Sequence, residues 1–257
     1  MKKLWYKIAY GVSKAVFAFF ANIIFPFKLI HRKRIPKRKK HLIVANHLSG
    51  IDILYLQIQL KGLRHLVAKK ELRKSRFIRA YENIIDLIYV DRENTSPESV
   101  KKILALLKKE RAVCMFPEGT RNTQNRELLP LKSGATVFAI KSKAPIVPIL
   151  IYQKAKKFKR NYLYVGEHLH FDRFYKARMT PDVVAEADAI LRNHMLTEMA
   201  SMDDFVLNKR WKRKNRLPVP ILPQLPSNIA VDENSDDTQK CQSIQTDTTV
   251  PVDTKEN

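Results

Sequence analysis

A histidine and an aspartate stand five residues apart in the segment 44–52 (VANHLSGID), where an apolar β-rich run gives way to a helical pattern. On a regular helix this spacing separates two side chains by about 140°, so His47 and Asp52 can meet only if His47 precedes the helix and Asp52 lies in its first turn. The pair Ser49-Gly50 allows such a bent entry. Asp52 would then hold the Nδ1 proton of His47 while Nε2 removes a proton from a hydroxyl. Ser49 is predicted to be the helix N-cap, with a nucleophile as the alternative role.

A second segment that could do chemistry runs from Cys114 to Asn122 and reads CMFPEGTRN. It is predicted to be a buried strand that ends in a Pro-Glu-Gly turn presenting Thr120 and Arg121. Gly119 lets the backbone approach a ligand, and a guanidinium can bind a phosphate through two hydrogen bonds. Open α/β sheets bind ligands where their strands end. These residues fit a phosphate site and an ordinary surface turn equally well.

The elements that must position these residues are short β-rich runs alternating with helical patterns. One helix follows Ser96-Pro97-Glu98, which supplies an N-cap, a proline at the first helical position and an acid in the first turn. Another begins at Thr180-Pro181-Asp182. The alternation predicts an α/β fold, a single layered domain with a largely parallel sheet flanked by helices. The predicted strands are Leu42–Ala45, His65–Ala68, Leu87–Val90, Ala112–Phe116, Pro145–Ile151 and Asn161–Gly166.

The N-terminal residues, Leu4 to Ile30, are largely apolar. The longest run without a charge, Ala15 to Phe27, has 13 residues, whereas a membrane span requires about 20. Lysines recur along one side of a helix drawn through this stretch. We therefore predict a helix or helical hairpin in the membrane interface. A true span, a signal peptide and a buried core helix are the alternatives.

A basic run follows, with seven Lys and Arg among the eleven residues His31 to His41. Anionic headgroups attract such a run by about 1 kcal/mol per basic residue, and the positive-inside bias predicts the cytoplasmic face of the cell membrane. A solvated linker and a nucleic-acid patch are the alternatives. The net charge at pH 7 is +23. Residues 218–257 are acidic, so the remainder of the chain carries +28. Such a positive charge is predicted to attract polyanionic partners.

Three regions are predicted: a membrane-associating segment at 1–30, an α/β domain at 31–217 and an acidic tail at 218–257. The tail lacks hydrophobic periodicity and is predicted to be disordered. The chain has two cysteines, too few for a disulfide framework or a cysteine-rich zinc site. Cys114 is predicted to be a small buried hydrophobe.

Taken together, these segments resemble the glycerolipid acyltransferases of the lysophosphatidic acid acyltransferase type, bacterial members included. The first block of that family, Asn-His followed by four residues and Asp, is present at 46–52, and its block Phe-Pro-Glu-Gly-Thr-Arg is intact at 116–121. Residues 86–92 resemble the second block, keep Arg92 and lack the usual glycine and phenylalanine. The aliphatic-Pro-aliphatic strand of the family is matched at 146–149.

The resemblance implies transfer of an acyl group from a thioester to the sn-2 hydroxyl of 1-acyl-glycerol 3-phosphate, giving phosphatidic acid for phospholipid synthesis. His47 is implied as the base and Asp52 as the residue that orients it. A thiol with a pKa of about 8.5 leaves readily, so neither a metal, a cofactor nor an acyl-enzyme is required. Backbone N–H groups of the strand–helix turn are predicted to stabilise the oxyanion. Substrate contacts are implied for Lys69, Arg92, Glu118, Gly119, Thr120 and Arg121.

The implied partners are anionic membrane lipid, lysophosphatidic acid and an acyl donor, either acyl-CoA or acyl carrier protein. Another acceptor, such as glycerol 3-phosphate or a different lysolipid, is the alternative reaction. A nucleic-acid-binding protein would also be basic, but RNA-binding motifs, a helix-turn-helix pattern and zinc fingers are missing, so no nucleic acid is expected. A non-catalytic membrane adaptor would not need His47, Asp52 and Arg121 together.

Overall fold

Seven strands form one mixed sheet in the computed structural model of the chain, which describes residues 19–37, 39–60, 65–74, 86–90, 96–123 and 127–207. The strand order is β1-β7-β6-β2-β5-β3-β4. Every neighbouring pair is parallel except β6 and β7, which are antiparallel. The strands are β1 (Phe27–Ile30), β2 (His41–Val44), β3 (His65–Lys69), β4 (Asp86–Val90), β5 (Ala112–Met115), β6 (Ile146–Ile151) and β7 (Asn161–Val165).

Helices cover both faces of this sheet, which confirms the predicted α/β fold. They are α1 (Asp52–Gln59), α2 (Pro97–Lys108), α3 (Gly134–Ser142) and α4 (Pro181–Leu207), with 3₁₀ turns at Arg32–Arg34, Lys70–Lys74 and Asp172–Phe174. The six predicted strands are all present, and each bound lies within one residue of the expected one. Both predicted helix starts are also correct. At α2, the Ser96 hydroxyl accepts a hydrogen bond from the N–H of Ser99, as an N-cap does.

Alternating side chains of the buried central strands fill two cores, one on each face of the sheet. Along β2, Leu42 and Val44 belong to the core shared with α2, α3 and α4, whereas Ile43 and Ala45 belong to the core shared with α1. A strand covered on both faces reads as a continuous apolar run, as the sequence here does. Cys114 lies in the α1 core and is fully buried, which confirms its predicted role as a small hydrophobe.

The sheet has a carboxyl end, where β2, β5 and β6 finish, and an amino end, where these three strands begin. Because β1 and β7 run opposite to β2, they begin at the carboxyl end. The connections after β2 and β5 therefore meet at the carboxyl end, beside the connection between β6 and β7.

Strand β1 corrects the prediction that the apolar helical segment continues to Ile30. Residues 19–24 are helical, but Phe27–Ile30 pairs with β7 in the sheet. Pro26 disfavours helical backbone at the residue before it, which ends the helix. The apolar side chains beyond it then pack as a strand, with Phe27 and Leu29 against the α1 core and Ile30 in the opposite core.

The basic run that follows β1 lies at the amino end of the sheet, away from residues 19–24. The guanidinium of Arg34 is held there against the protein: Nη1 donates to the carbonyl of Val165 at 2.9 Å, and Nη2 pairs with Glu167. The run thus follows the apolar segment in sequence, but β1 separates it from the helical residues 19–24 by the length of a strand.

No helix within the described ranges is long and apolar enough to cross a bilayer. Residues 1–18, which hold most of the predicted membrane segment, and residues 208–257, which hold the predicted acidic tail, lie outside the described residues. The predicted limits of the three regions remain predictions.

Candidate active site

His47 and Asp52 meet at the carboxyl end of the sheet in the arrangement that their spacing predicts. His47 lies in the turn after β2, and Asp52 is the first residue of α1. The Nδ1 atom of His47 is 3.0 Å from Oδ2 of Asp52. Because a carboxylate only accepts hydrogen bonds, Nδ1 carries the proton, and Nε2 is left with the lone pair that can accept one. The pair has the geometry of a general base and the carboxylate that orients it.

The carboxylate of Asp52 is fully buried and accepts four hydrogen bonds from the turn that it follows. Besides His47, its donors are the N–H groups of Leu48 and Ser49, both at 2.7 Å, and the hydroxyl of Ser49, also at 2.7 Å. Four donors around one carboxylate fix its orientation and the path of the turn. Ser49 donates to the first helical residue, and the N-cap position is occupied by Ile51, so the prediction that Ser49 caps α1 is wrong.

Glu118 holds the other side of the same turn. Its Oε1 accepts a hydrogen bond from the N–H of His47 at 2.8 Å, and its Oε2 accepts one from the N–H of Leu129 at 3.1 Å. Burial raises the pKa of Glu118, and these two bonds, which favour the charged form, oppose that rise. With Asp52, Glu118 thus engages the N–H groups of His47, Leu48 and Ser49. Those three groups are therefore unavailable as oxyanion donors, which corrects the prediction for this part of the turn.

The turn after β5 packs directly on the histidine. The ring of Phe116 stacks on the ring of His47 with centroids 4.0 Å apart, and the N–H of Asn122 donates to the carbonyl of His47 at 2.7 Å. Gly119 has φ +69°, a conformation that favours glycine. These contacts bring the two chemistry-bearing segments of the sequence into one site.

Arg121 lies across the first segment. Its Nη1 is 3.6 Å from the point that a Cβ on Gly50 would occupy, three residues beyond His47. Thr120 and Arg121 are both exposed, in contrast to the buried Glu118. The site thus presents a base and a guanidinium at the same end of the sheet, which suits an acceptor that has both a hydroxyl and an anionic group.

The sequence of the chain is similar to those of known proteins. An acyltransferase family model matches residues 27–152. The 1-acyl-sn-glycerol-3-phosphate acyltransferase of Bacillus subtilis (strain 168) is 33% identical over 150 residues, which are 56% of this chain and 73% of that protein. The chain belongs to the acyltransferase family. It is an O-acyltransferase by this relationship, as the sequence motifs predict.

Other acyltransferases match over a smaller share of their length. The 1-acyl-sn-glycerol-3-phosphate acyltransferase alpha of Homo sapiens is 35% identical over 119 residues, 45% of this chain and 42% of that protein. The chain thus spans less than half of the human enzyme. A crystal structure of the 1-acyl-sn-glycerophosphate (LPA) acyltransferase PlsC from Thermotoga maritima has the same fold, with a TM-score of 0.50 and 21% identity over 66% of this chain and 71% of that one.

The family resemblance also implies substrate contacts for two cations, Lys69 and Arg92. Lys69 ends β3 at the carboxyl end of the sheet, and its Nζ is 3.3 Å from Oε1 of Glu71. It is therefore at the same end as His47, separated from β2 by β5. Arg92 lies outside the described residues, so its implied role stays a prediction. In the described part of the acyltransferase, no group of three or more His, Cys, Asp or Glu side chains could hold a metal ion.

Sequence reasoning did not single out two residues that support this acyltransferase site. Asn46 is buried and forms a pair of hydrogen bonds with the backbone of Ile151, donating to its carbonyl at 3.0 Å and accepting from its N–H at 2.7 Å. It thereby ties the turn before His47 to the end of β6. The exposed Lys132 passes beside Gly119, with its Cγ 3.3 Å from that residue's Cβ position. The signals that could have found them are an asparagine directly before His47 and a lysine in the segment 131–135 (LKSGA).

Proposed function

We propose that this acyltransferase moves an acyl group from acyl-CoA or acyl carrier protein to the sn-2 hydroxyl of 1-acyl-glycerol 3-phosphate, forming phosphatidic acid. The observation that carries the proposal is the hydrogen-bonded pair of His47 and Asp52 with Arg121 lying across Gly50 beside it. The names of the relatives in Bacillus subtilis and Homo sapiens support the choice of acceptor.

The proposed reaction starts at Nε2 of His47, which removes the proton of the acceptor hydroxyl as its oxygen attacks the thioester carbonyl. Asp52 stabilises the imidazolium that forms. The tetrahedral intermediate then collapses, the C–S bond breaks, and the imidazolium returns its proton to the departing thiolate. The products are the ester and a free thiol, and His47 is neutral again.

Direct transfer is favoured over an acyl-enzyme because the neighbouring nucleophiles are occupied or inaccessible. The hydroxyl of Ser49 donates to Oδ1 of Asp52, so its proton is directed to that carboxylate and not to the imidazole of His47. Cys114 is fully buried, and burial raises the pKa of its thiol, which keeps it protonated. The reaction as proposed requires no metal or cofactor.

The phosphate of the acceptor is assigned to the guanidinium of Arg121, which can donate two hydrogen bonds to it. Lys132, beside Gly119, adds a second positive charge close to the same turn. We further propose that the enzyme works at the cytoplasmic face of the membrane as a peripheral or monotopic protein. The exposed side chains of Phe19, Phe20 and Ile23 at the end of the predicted membrane segment support this location.

Thiol release from an acyl thioester should depend on the acceptor. We expect rapid release with 1-acyl-glycerol 3-phosphate and little without it, because the attacking oxygen belongs to the acceptor. A thiol-reactive dye measures the release from acyl-CoA, and mass spectrometry of the lipid product follows both acyl-CoA and acyl carrier protein as donors. Equal release with and without acceptor would identify a thioesterase and contradict the proposal.

Replacing Arg121 by alanine should weaken phosphate-bearing acceptors selectively. Loss of charge-assisted hydrogen bonds worth about 1.5–3 kcal/mol lowers kcat/KM by roughly ten- to a hundredfold for 1-acyl-glycerol 3-phosphate. The rate with neutral 1-acyl-glycerol should stay within about twofold. Arg111→Ala, an exposed arginine just before β5 at the amino end, is the matched control. An equal loss on both acceptors would show that Arg121 does not bind the phosphate.

A further inference from the structure

The β6–β7 loop (residues 152–160) presents one phenylalanine among five cations. Phe158 is 72% exposed. None of the five cations is paired with a carboxylate within the described part of the chain. An apolar ring framed by basic side chains is typical of proteins that bind the interface of an anionic bilayer. The five exposed cations are Lys154, Lys156, Lys157, Lys159 and Arg160.

The loop is held in a defined shape by the first residue of β7. Asn161 is 1% exposed. Its side chain accepts a hydrogen bond from the N–H of Lys156 at 2.9 Å and donates to the carbonyls of Lys156 and Lys159 at 3.0 and 2.8 Å. At the tip, Phe158 has φ 54°, a left-handed conformation that is unfavourable for a bulky residue. Its ring is mostly exposed, so packing in the core does not offset this strain. A strained and exposed residue of this kind fits a role in binding at the surface.

The loop adjoins both the apolar N-terminal side chains and the active site. The N–H of Phe158 donates to the carbonyl of Ile24 at 2.6 Å, so the tip lies against the helical residues 19–24. At the other end of the loop, Ile151 is the residue bound by Asn46, next to His47. The basic run at 31–41 lies at the opposite end of the sheet and is not part of this surface.

We propose that the β6–β7 loop is a second membrane anchor, in which Phe158 enters the interface of an anionic bilayer and the five cations contact lipid headgroups. An acidic protein would complement the same charge, but the exposed aromatic tip beside Phe19, Phe20 and Ile23 favours a lipid surface. When the loop is bound in this way, the carboxyl end of the sheet faces the bilayer. A lysolipid can then reach His47 without leaving the bilayer. Vesicle binding is measured without turnover, so this anchor is tested independently of the proposed reaction.

Partition of the full chain onto vesicles of phosphatidylcholine with one-third phosphatidylglycerol tests the anchor. Phe158→Gly should lower the partition coefficient about tenfold, because it removes the ring that enters the bilayer interface. Its melting temperature should not fall, since glycine adopts positive φ without strain. Phe158→Trp should bind like the wild type. Unchanged partition of Phe158→Gly would overturn the proposal.

The contribution of the cations is tested by a charge-matched pair of variants. K157E/K159E should lower partition by roughly thirtyfold, at about 1 kcal/mol for each lysine lost. K108E/K141E makes the same change in net charge at exposed lysines in the last turns of α2 and α3, at the amino end of the sheet. It should have a much smaller effect, and an equal loss would show that net charge alone drives binding and would overturn the proposal.

A polarity-sensitive dye reports contact at the loop itself. It is attached through Lys157→Cys in a Cys241→Ser background, where the fully buried Cys114 does not react. We expect a blue shift of emission on adding the anionic vesicles. An unchanged spectrum in vesicle-bound protein, or a shift produced by acyl carrier protein and not by vesicles, would overturn the assignment to a bilayer.

Discussion

Replacing His47 by alanine should lower kcat for acyl transfer by about a thousandfold. General acid–base catalysis typically contributes 10² to 10⁴ in rate, and Asp52, which holds the Nδ1 atom, cannot take over proton removal because it is fully buried. The variant should remain folded, since Asp52 keeps three of its four hydrogen bonds in the absence of the imidazole.

The rate is measured by acceptor-dependent thiol release, and circular dichroism and vesicle binding establish that the variant is folded and membrane-associated. His170→Ala is the matched control, because His170 is exposed and lies beyond the amino end of β6. We expect its kcat to match the wild type. Turnover of the His47 variant within a few-fold of the wild type would mean that another group is the base.

The strands of this fold could be predicted because burial on both faces leaves a clear trace in the sequence. The short continuous apolar runs at β2, β5 and β6 are typical of strands that are covered on both faces of a sheet. Strand β1 could not be predicted in the same way. Its four residues continue an apolar helix, and periodicity does not separate a short buried strand from a helical segment. Phe27 pairs with Asn161 of β7, 134 residues away in the chain, and this pairing makes the segment a strand.

The chemical groups of the site could be predicted, whereas the way they are held could not. The spacing of His47 and Asp52 is compatible with contact if the chain bends before the helix, and the structure has that bend. The role of Ser49 depends on where its hydroxyl points after the bend, which residue type alone does not fix. The carboxylate of Glu118 accepts a hydrogen bond from the N–H of His47. The two residues are 71 positions apart, so this contact leaves no local pattern in the sequence.

Charge density in the sequence does not show which basic segment lies near the active site. The basic run at 31–41 has the higher local density of cations and follows an apolar helix, but β1 carries it to the amino end of the sheet. The sequence does not distinguish the lysines of the β6–β7 loop from other surface lysines. Only the structure shows that Phe158 is exposed beside residues 19–24. The direction of each strand thus determines which basic cluster lies near the active site.

Replacing Asp52 by asparagine should be as damaging to the reaction as loss of the base. An amide has one acceptor oxygen in place of two. Its NH₂ group would face the N–H groups that donate hydrogen bonds to the carboxylate of Asp52. The Nδ1 proton of His47 would lose its acceptor, and the ring could adopt the tautomer with the proton on Nε2. Loss of tautomer control in such a pair lowers kcat by on the order of 10³- to 10⁴-fold. Unpaired buried donors also destabilise the fold by about 1–3 kcal/mol each.

Ser49→Ala separates catalysis from stability. It removes one of the four donors to Asp52 and leaves the bond to His47 in place. We expect it to cost about 1 kcal/mol in the free energy of unfolding and less than tenfold in kcat. Denaturant titration and thiol release, measured on both variants, give the two quantities. If Asp52→Asn lost no more turnover than Ser49→Ala at matched folded fraction, Asp52 would hold the turn without acting on His47. A loss of kcat at least a hundredfold greater in Asp52→Asn is the result that the buried hydrogen bond between Nδ1 and Oδ2 requires.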